Sequence, residues 1–205
     1  MRTLSSSSLS TPAAGCSGGA TRRQFLHGAA GVVCAAAALV EVRTAQAQSA
    51  VSDADRERIR SLAAWMALTF KTANPVPYGA DILNTETGER LMRAANAVGP
   101  EHDPSAHAEL RTIRLACAKL KAGSLRGYTL YTTCEPCAMC MACALWAGLD
   151  RVVYGATIAD ASQFGHQIHI PAAEVARHYD VPCVVDGPVE RDACVALFNA
   201  SRKKS

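Results

Sequence analysis

The 205-residue chain has no apolar run long enough to span a bilayer, and no internal repeat or linker divides the residues after position 47. Those residues also lack an excess of basic side chains. The chain has 21 basic and 18 acidic residues, of which four basic and one acidic lie in the first 47, so seventeen of each sign remain after residue 47. A protein that grips a phosphate backbone usually shows a basic surface. The balance therefore favours small-molecule partners and argues against nucleic acid.

Acidic residues are also nearly absent from the first fifty positions, which are rich in Ser, Ala and Gly. Arg22 and Arg23 precede an uncharged run over 28–40, and a small-x-small exit follows at 45–47. The run is shorter than the roughly 20 residues of a membrane span. This order is typical of a secretory signal, and the arginine pair resembles the twin-arginine signal of bacteria. We predict a twin-arginine signal peptide over 1–47, cleavage after Ala47, passage through the twin-arginine translocase and a periplasmic protein without a membrane anchor.

Predicted strands and helices alternate over the remaining residues, 48–205, which form one predicted domain. Alternation of this kind implies a layered α/β fold with helices on both faces of the sheet. The stretch 157–165 is predicted to be irregular, and Ser105 to cap the second helix. The predicted strands are 78–84, 90–95, 129–132, 151–154 and 181–185, and the predicted helices are 52–74, 105–121, 137–147, 172–178 and 190–201.

Two short motifs carry the chemistry: His107-Ala108-Glu109 and Pro136-Cys137-Ala138-Met139-Cys140, each at a predicted helix start. One imidazole and two thiolates suit a catalytic zinc, which keeps an open position for water. A helix N-terminus favours thiolate over thiol. Bound zinc lowers the pKa of its water toward roughly 7 and so gives a hydroxide nucleophile. Glu109, two residues from a ligand, is the candidate for proton transfer.

The specificity of the signal comes from the combination of the motifs. A lone His-Ala-Glu is weak, and a lone Cys-x-x-Cys also occurs in structural zinc and redox sites. Together and in this order they match the H-x-E…P-C-x-x-C signature of zinc deaminases.

Residues 53–203 resemble the cytidine and deoxycytidylate deaminase superfamily, and 103–109 and 134–140 look like its guanine deaminase branch and the related tRNA adenosine deaminases. The resemblance implies a three-layer α/β/α sandwich with a mixed five-stranded sheet, usually in a homodimer. It implies zinc ligands at His107, Cys137 and Cys140, and a proton shuttle at Glu109. It also implies substrate contacts at Asn96, Ala108 and Asp160.

The resemblance favours a hydrolytic deaminase of a free nucleobase, with a guanine-type purine first. A nucleoside, cytosine or another aminated heterocycle stays open as the substrate. Asn96 has an alternative as a turn residue, and Asp160 has one as a cap of the next turn. Three departures from guanine deaminases bear on the substrate. Asp81 replaces an apolar residue of the first strand, the stretch 74–80 is richer in proline, and the chain ends Arg202-Lys203-Lys204-Ser205 without an aromatic.

Other classes compete with this interpretation. Cys134, Cys137, Cys140 and Cys143 form a Cys-x-x-Cys series that can hold an iron–sulfur cluster, but an electron carrier leaves His107 and Glu109 unexplained. A zinc-binding protein without turnover would have no use for Glu109. Around the motifs, Cys134 is predicted to line the site and Cys143 to pack in its helix core. His166 and His169 are placed on the surface or at the substrate, and a Cys183–Cys194 disulfide stays open.

Overall fold

The computed structural model describes residues 51–73 and 75–202. The predicted signal peptide over 1–47 lies outside the described residues, as do Asn74 and 203–205. By its internal contacts, the described part of the chain belongs to one compact unit, Ala47–Ser205. Within the described part, none of the helices combines the length and apolarity that a membrane crossing requires.

The described residues form seven helices and five strands in an order that alternates as predicted. The longer predicted elements are confirmed within a few residues at each end. The elements are α1 (Asp53–Thr69), β1 (Gly79–Asn84), β2 (Arg90–Ala95), α2 (Val98–Glu101), α3 (Ala108–Leu120), β3 (Tyr128–Cys134), α4 (Ala138–Trp146), β4 (Arg151–Ala156), α5 (Ile158–Ala161), α6 (Ala172–Arg177), β5 (Val184–Asp186) and α7 (Arg191–Arg202).

The five strands form one mixed sheet in the order β2-β1-β3-β4-β5. β1 runs antiparallel to both β2 and β3, whereas β3, β4 and β5 are parallel to one another. The parallel strands are joined by crossovers through α4 and through α5 and α6. The mixed five-stranded sheet of the predicted fold class is confirmed.

Helices cover both faces of this sheet, because side chains alternate along its buried strands. Leu130 and Val152 point into an apolar cluster shared with α3, α4 and α6. Tyr131 and Val153, the next residue of each strand, point into a second cluster shared with α1 and α7. The predicted three-layer arrangement follows from this alternation.

The start of α3 differs from the prediction. The helix begins at Ala108 with His107 as its N-cap, so Ser105 does not cap it. The backbone N–H and the hydroxyl of Ser105 both donate to Asp103 Oδ1, at 2.7 Å each. This local turn satisfies the Ser105 side chain before the helix begins, and it leaves His107 at the helix entrance.

The prediction for 157–165 was also wrong at its start. Thr157 caps the short helix α5, and Asp160 completes a capping box by accepting from the Thr157 backbone N–H at 3.0 Å. Four helical residues are too few to show a helical period in the sequence. In the other direction, β5 begins at Val184, three residues later than the prediction of 181.

Asp81, the departure in the first strand, is buried and paired. It lies opposite Arg93 of β2, whose guanidinium donates two hydrogen bonds of 2.5 Å to its two carboxylate oxygens. Arg93 also lies over the ring of Trp65, 5.0 Å from its centroid. A buried carboxylate is tolerated when it is paired and hydrogen-bonded, so the substitution is accommodated within the fold.

Candidate active site

Two helices begin next to each other at one end of the sheet, and each begins at a predicted metal ligand. His107 is the N-cap of α3 and Cys137 the N-cap of α4, both with extended backbone and without a side-chain capping bond. Their side chains are therefore available for a shared site. Cys140 lies in the first turn of α4, and Glu109 is the second residue of α3.

The three predicted ligands meet. Their ligand atoms all lie within 4.8 Å of one another, and among the described residues this is the one such group of potential metal ligands. The Nδ1 atom of His107 lies 3.7 Å from Cys137 Sγ and 3.6 Å from Cys140 Sγ. Tetrahedral zinc, with bonds of about 2.3 Å to sulfur and about 2.0 Å to nitrogen, places these atoms about 3.6 Å apart. The donor set and its spacing fit zinc.

The two thiols differ in charge. The hydrogen bond in which Cys140 is the donor lowers the pKa of Cys137 to about 4, although burial opposes that shift. The same hydrogen bond, together with burial, raises the pKa of Cys140. The hydrogen bond to Cys137 also raises the pKa of His107. At neutral pH the cluster thus holds a thiolate, the form in which cysteine binds metal.

Glu109 is buried beside the cluster, with 6% of its surface exposed. Its Oε1 accepts a hydrogen bond from the Thr132 hydroxyl at 3.3 Å, and its Oε2 lies 3.8 Å from the Cys140 Sγ. Burial raises the pKa of Glu109 to about 7. The carboxyl group therefore lies beside the metal ligands, in contact with Thr132 of β3 and Cys140 of α4.

A cavity of about 310 Å³ opens over these residues. Four acidic or thiol groups, those of Glu109, Cys134, Glu135 and Cys137, line it together with amides and an aromatic ring. No lysine or arginine is among the described residues that line it. The full lining is Tyr78, Asn96, Val98, His107, Glu109, Cys134, Glu135, Cys137, Gly165, His166 and Gln167.

Of the predicted substrate contacts, Asn96 lines the cavity and Ala108 does not. Asn96 directly follows β2, and its Oδ1 accepts from the Val98 backbone N–H at 3.1 Å, so it also has the turn role that the sequence left open. Ala108 is fully buried in the apolar cluster below α3.

Asp160 lies outside the cavity lining. Its carboxylate completes the capping box of α5 and forms a two-armed ion pair with Arg191 of α7. The hydrogen bonds from Arg191 and then from Thr157 lower the pKa of Asp160 to about 2, against the effect of burial. The structure thus gives Asp160 the capping role that the sequence left as its alternative.

The remaining cysteines and histidines separate by location. Cys134 ends β3 and lines the cavity, and Cys143 packs partly buried against the α3 side, both as predicted. Neither belongs to the ligand group, which removes the four-cysteine arrangement of an iron–sulfur cluster. Cys183 and Cys194 pack in clusters on opposite faces of the sheet and are unbonded, so the open disulfide is not formed. His166 lines the cavity, whereas His169 is exposed outside it.

Sequence reasoning missed four residues of the site: Tyr78, Thr132, Glu135 and Gln167. Glu135 lies directly between Cys134 and the Cys-x-x-Cys motif, and this position was the available signal. Thr132 carries no motif, since its role depends on the pairing of β3 beside α3. Tyr78 and Gln167 share a hydrogen bond across 89 positions, which no local pattern indicates.

Comparison with known proteins places this geometry among zinc enzymes. Residues 53–156 match the cytidine and deoxycytidylate deaminase zinc-binding region. Over 89 residues, which are 43% of this chain and 56% of the relative, the chain is 42% identical to a guanine deaminase of Bacillus subtilis. A tRNA-specific adenosine deaminase of Agrobacterium fabrum is 30% identical over 151 residues, which are 74% of this chain and 97% of the relative.

The fold is shared with a solved guanine deaminase of Nitrosomonas europaea. That structure aligns with a TM-score of 0.64 at 24% identity, over 70% of this chain and 82% of the other. The chain spans about half the length of the guanine deaminase and of a further tRNA-specific adenosine deaminase, from Aquifex aeolicus, at 56% and 52%.

Proposed function

Because the chain belongs to the cytidine and deoxycytidylate deaminase zinc-binding family, we propose that it is a zinc-dependent hydrolytic deaminase of a free nucleobase, with a guanine-type purine as its substrate. In this reaction an oxygen from water replaces an exocyclic amino group of the ring, and ammonia leaves. The observation that carries the proposal is the meeting of His107, Cys137 and Cys140 beside a cavity that His107, Cys137 and Glu109 line.

The residues of the site have separate roles in the proposed reaction. His107, Cys137 and Cys140 would hold zinc, which when bound supplies a water nucleophile with a pKa near roughly 7. Glu109 takes one proton from the attacking water and gives it to the ring nitrogen, and it then takes the second proton of that oxygen and gives it to the departing amine. Thr132 supports this role by fixing Oε1 of Glu109.

The lining of the cavity favours an uncharged ring as the substrate and disfavours a nucleotide. A phosphate group would meet Glu109 and Glu135, and none of the described residues that line the cavity is a lysine or arginine that could offset the repulsion between these negative charges. The volume of about 310 Å³ lies at the lower end of small-molecule pockets. Asn96 and Gln167 offer amide groups to the polar edge of a base. The 42% identity to a guanine deaminase favours guanine among the bases.

A tRNA adenosine is the second candidate substrate. It is favoured by the relative that aligns over 97% of its own length, a tRNA-specific adenosine deaminase. The equal numbers of basic and acidic residues after position 47 argue for the free base, because tRNA binding usually requires a basic surface. The two candidates need different assays.

A panel of substrates tests the proposal. Zinc-loaded protein would be assayed for ammonia release from guanine, adenine, cytosine and cytidine, and for inosine formation in a tRNA anticodon stem-loop. We expect guanine to be turned over at least about 10⁴-fold better than bases that leave buried polar groups unpaired. Glu109→Gln serves as the inactive control. Turnover of the stem-loop without turnover of guanine would contradict the free-base proposal and retain the deaminase proposal.

We also propose that the domain is a homodimer in the periplasm. The resemblance to the deaminase superfamily supports the dimer, as do apolar side chains exposed on α3 and α4: Trp146 is 78% exposed, Leu115 42% and Met139 36%. The sequence of the first 47 residues supports export.

A further inference from the structure

A single carboxylate, that of Glu135, binds the first residues of two helices. Its Oε2 accepts from the backbone N–H of Ile158 at 3.0 Å, and its Oε1 accepts from that of Ala172 at 2.9 Å. Ile158 begins α5 and Ala172 begins α6. The first N–H groups of a helix have no partner inside the helix. Glu135 therefore supplies an acceptor to two such groups from outside both helices.

Glu135 is itself held at the corner between β3 and α4. Its backbone N–H donates to Ala156 O at 2.7 Å, so the residue is tied to the end of β4 as well. Cys137, a predicted zinc ligand, follows two residues later. The position of the carboxylate is thus fixed by the same corner that presents Cys137.

The chain between the two helix starts, the 158–172 segment, forms one wall of the cavity. It contributes Gly165, His166 and Gln167 to the lining. Residues 166–171 have no regular structure, and most of them are exposed. The first half of the segment is anchored to α7 through Asp160 and through the stacking of Phe164 on Phe198, with ring centroids 5.3 Å apart. At the far end, Glu135 holds the Ala172 backbone.

We propose that Glu135 is a positioning residue that holds both ends of the 158–172 segment, so that His166 and Gln167 face the substrate across from the metal ligands. Both carboxylate oxygens are engaged by backbone donors, so Glu135 acts through the segment and not on the reacting atoms. The inference rests on the proposed function for the identity of the ligand, but the ordering of the segment can be measured without any substrate.

A carboxylate is required by the two donors. Both partners of Glu135 are N–H groups, and a carboxylate offers acceptors on both oxygens. In Glu135→Gln the amide nitrogen would face one of these N–H groups, which leaves one bond intact and breaks the other. Glu135→Ala would break both. Glu174, two residues into α6 from Ala172, pairs only with Arg177 and His178 at the surface among the described residues, so Glu174→Gln is a matched control.

Hydrogen exchange on the zinc-loaded full-length protein tests the positioning itself. We expect amide exchange across 158–172 to rise at least about tenfold in Glu135→Ala and less in Glu135→Gln, the scale of losing hydrogen bonds to a charged group. Zinc content should stay at the wild-type level, and Glu174→Gln should exchange like wild type. Unchanged exchange over 158–172 in Glu135→Ala would overturn the proposal, and so would zinc loss in the correctly folded Glu135→Gln.

Steady-state kinetics add a readout that a purely structural role would not move. With guanine, we expect KM to rise about tenfold in Glu135→Gln while kcat changes less than about threefold, because the chemistry of Glu109 is untouched. A fall in kcat at constant KM would overturn the positioning role. If wild-type protein does not turn over guanine, the proposed function has failed, and the exchange data still decide whether Glu135 orders the segment.

Discussion

The Nδ1 atom of His107 lies 3.6 Å from Sγ of Cys140, although 33 positions separate the two residues in the chain. This contact joins the entrances of α3 and α4 and leaves the two side chains facing Cys137. A metal shared by these residues therefore links two helices on the same face of the sheet. Its removal is expected to affect both metal content and stability.

Cys137→Ala should lose zinc, because only one thiolate and one imidazole remain to bind it. We expect zinc content well below one equivalent by elemental analysis, together with a lower melting temperature. Cys143→Ala is the matched control, since Cys143 lies on the same helix outside the ligand group and should leave zinc content unchanged. Full zinc occupancy in Cys137→Ala would contradict the ligand assignment.

Glu109→Gln should keep zinc and fold but lose turnover. General acid–base catalysis contributes about 10² to 10⁴-fold, and here one carboxyl group serves several proton transfers, so the loss in kcat should reach the upper end of that range or exceed it. Glu101→Gln removes a carboxylate that is partnered on the surface by Arg111 and should retain activity. Near-normal kcat in a zinc-loaded Glu109→Gln enzyme would refute the proton-shuttle role.

Asp55 should make the stability of the domain sensitive to acid. It is 2% exposed and accepts hydrogen bonds from Tyr131 at 2.6 Å and from Arg151 at 2.9 and 3.1 Å. Burial alone would raise the pKa of Asp55, but the hydrogen bonds from Arg151, Tyr131 and Ser52 outweigh it and hold that pKa well below 3.8. A carboxyl group with a depressed folded-state pKa stabilises the fold above its unfolded pKa and loses this effect as the pH falls.

We expect the difference in unfolding free energy between wild type and Asp55→Asn to be larger at pH 7 than at pH 3. Asp55→Asn should lower the free energy of unfolding by about 3 kcal/mol at pH 7, the scale of breaking a buried ion pair. Below pH 4 the gap in unfolding free energy between wild type and Asp55→Asn should narrow, because the unfolded wild-type chain binds a proton at Asp55 while the folded protein keeps that carboxylate ionised. Urea unfolding at the two pH values measures this. An equal gap at pH 7 and pH 3 would contradict the depressed pKa.

The parts of the site that sequence reasoning predicted are those encoded within a few residues. Two short motifs contain His107, Glu109, Cys137 and Cys140. Their match to a known zinc-site signature, with each motif at a helix start, was sufficient to predict that these residues form one site. The strands were predictable because apolar residues mark them. Asp160 and Ser105 were harder because their partners, Arg191 and Asp103, decide between a cap and another role.

Glu135 shows most clearly what the sequence cannot encode locally. Its two hydrogen-bond partners lie 23 and 37 positions away and are backbone N–H groups, which carry no residue identity. The sheet order that brings β4 beside β3 must be known before these contacts can be found. The wall of the cavity, including His166 and Gln167, depends on the same long-range placement.

The homodimer proposal predicts that the exposed face of α4 is needed for association. Trp146 is 78% exposed and lies edge-on to Tyr179, with ring centroids 5.8 Å apart. Trp146→Asp should convert a dimer to a monomer in light scattering coupled to size exclusion. Leu68→Asp, at a residue that is 57% exposed on α1 across the sheet, should leave the mass unchanged. A wild-type monomer, or an unchanged dimer in Trp146→Asp, would contradict this interface.

The export proposal predicts that the arginine pair is essential for leaving the cytoplasm. Arg22→Lys combined with Arg23→Lys should leave the uncleaved protein in the cytoplasm, because the twin-arginine signal is read through both guanidinium groups. Arg43→Lys, in the same segment beyond the apolar run, is the matched control and should be exported and cleaved after Ala47. Cell fractionation with N-terminal sequencing measures both outcomes. Normal periplasmic processing of the double-lysine variant would refute the twin-arginine route.

Export by this route is also compatible with the metal site. The cytoplasm keeps Cys137 and Cys140 reduced, so zinc can bind before the folded domain crosses the membrane.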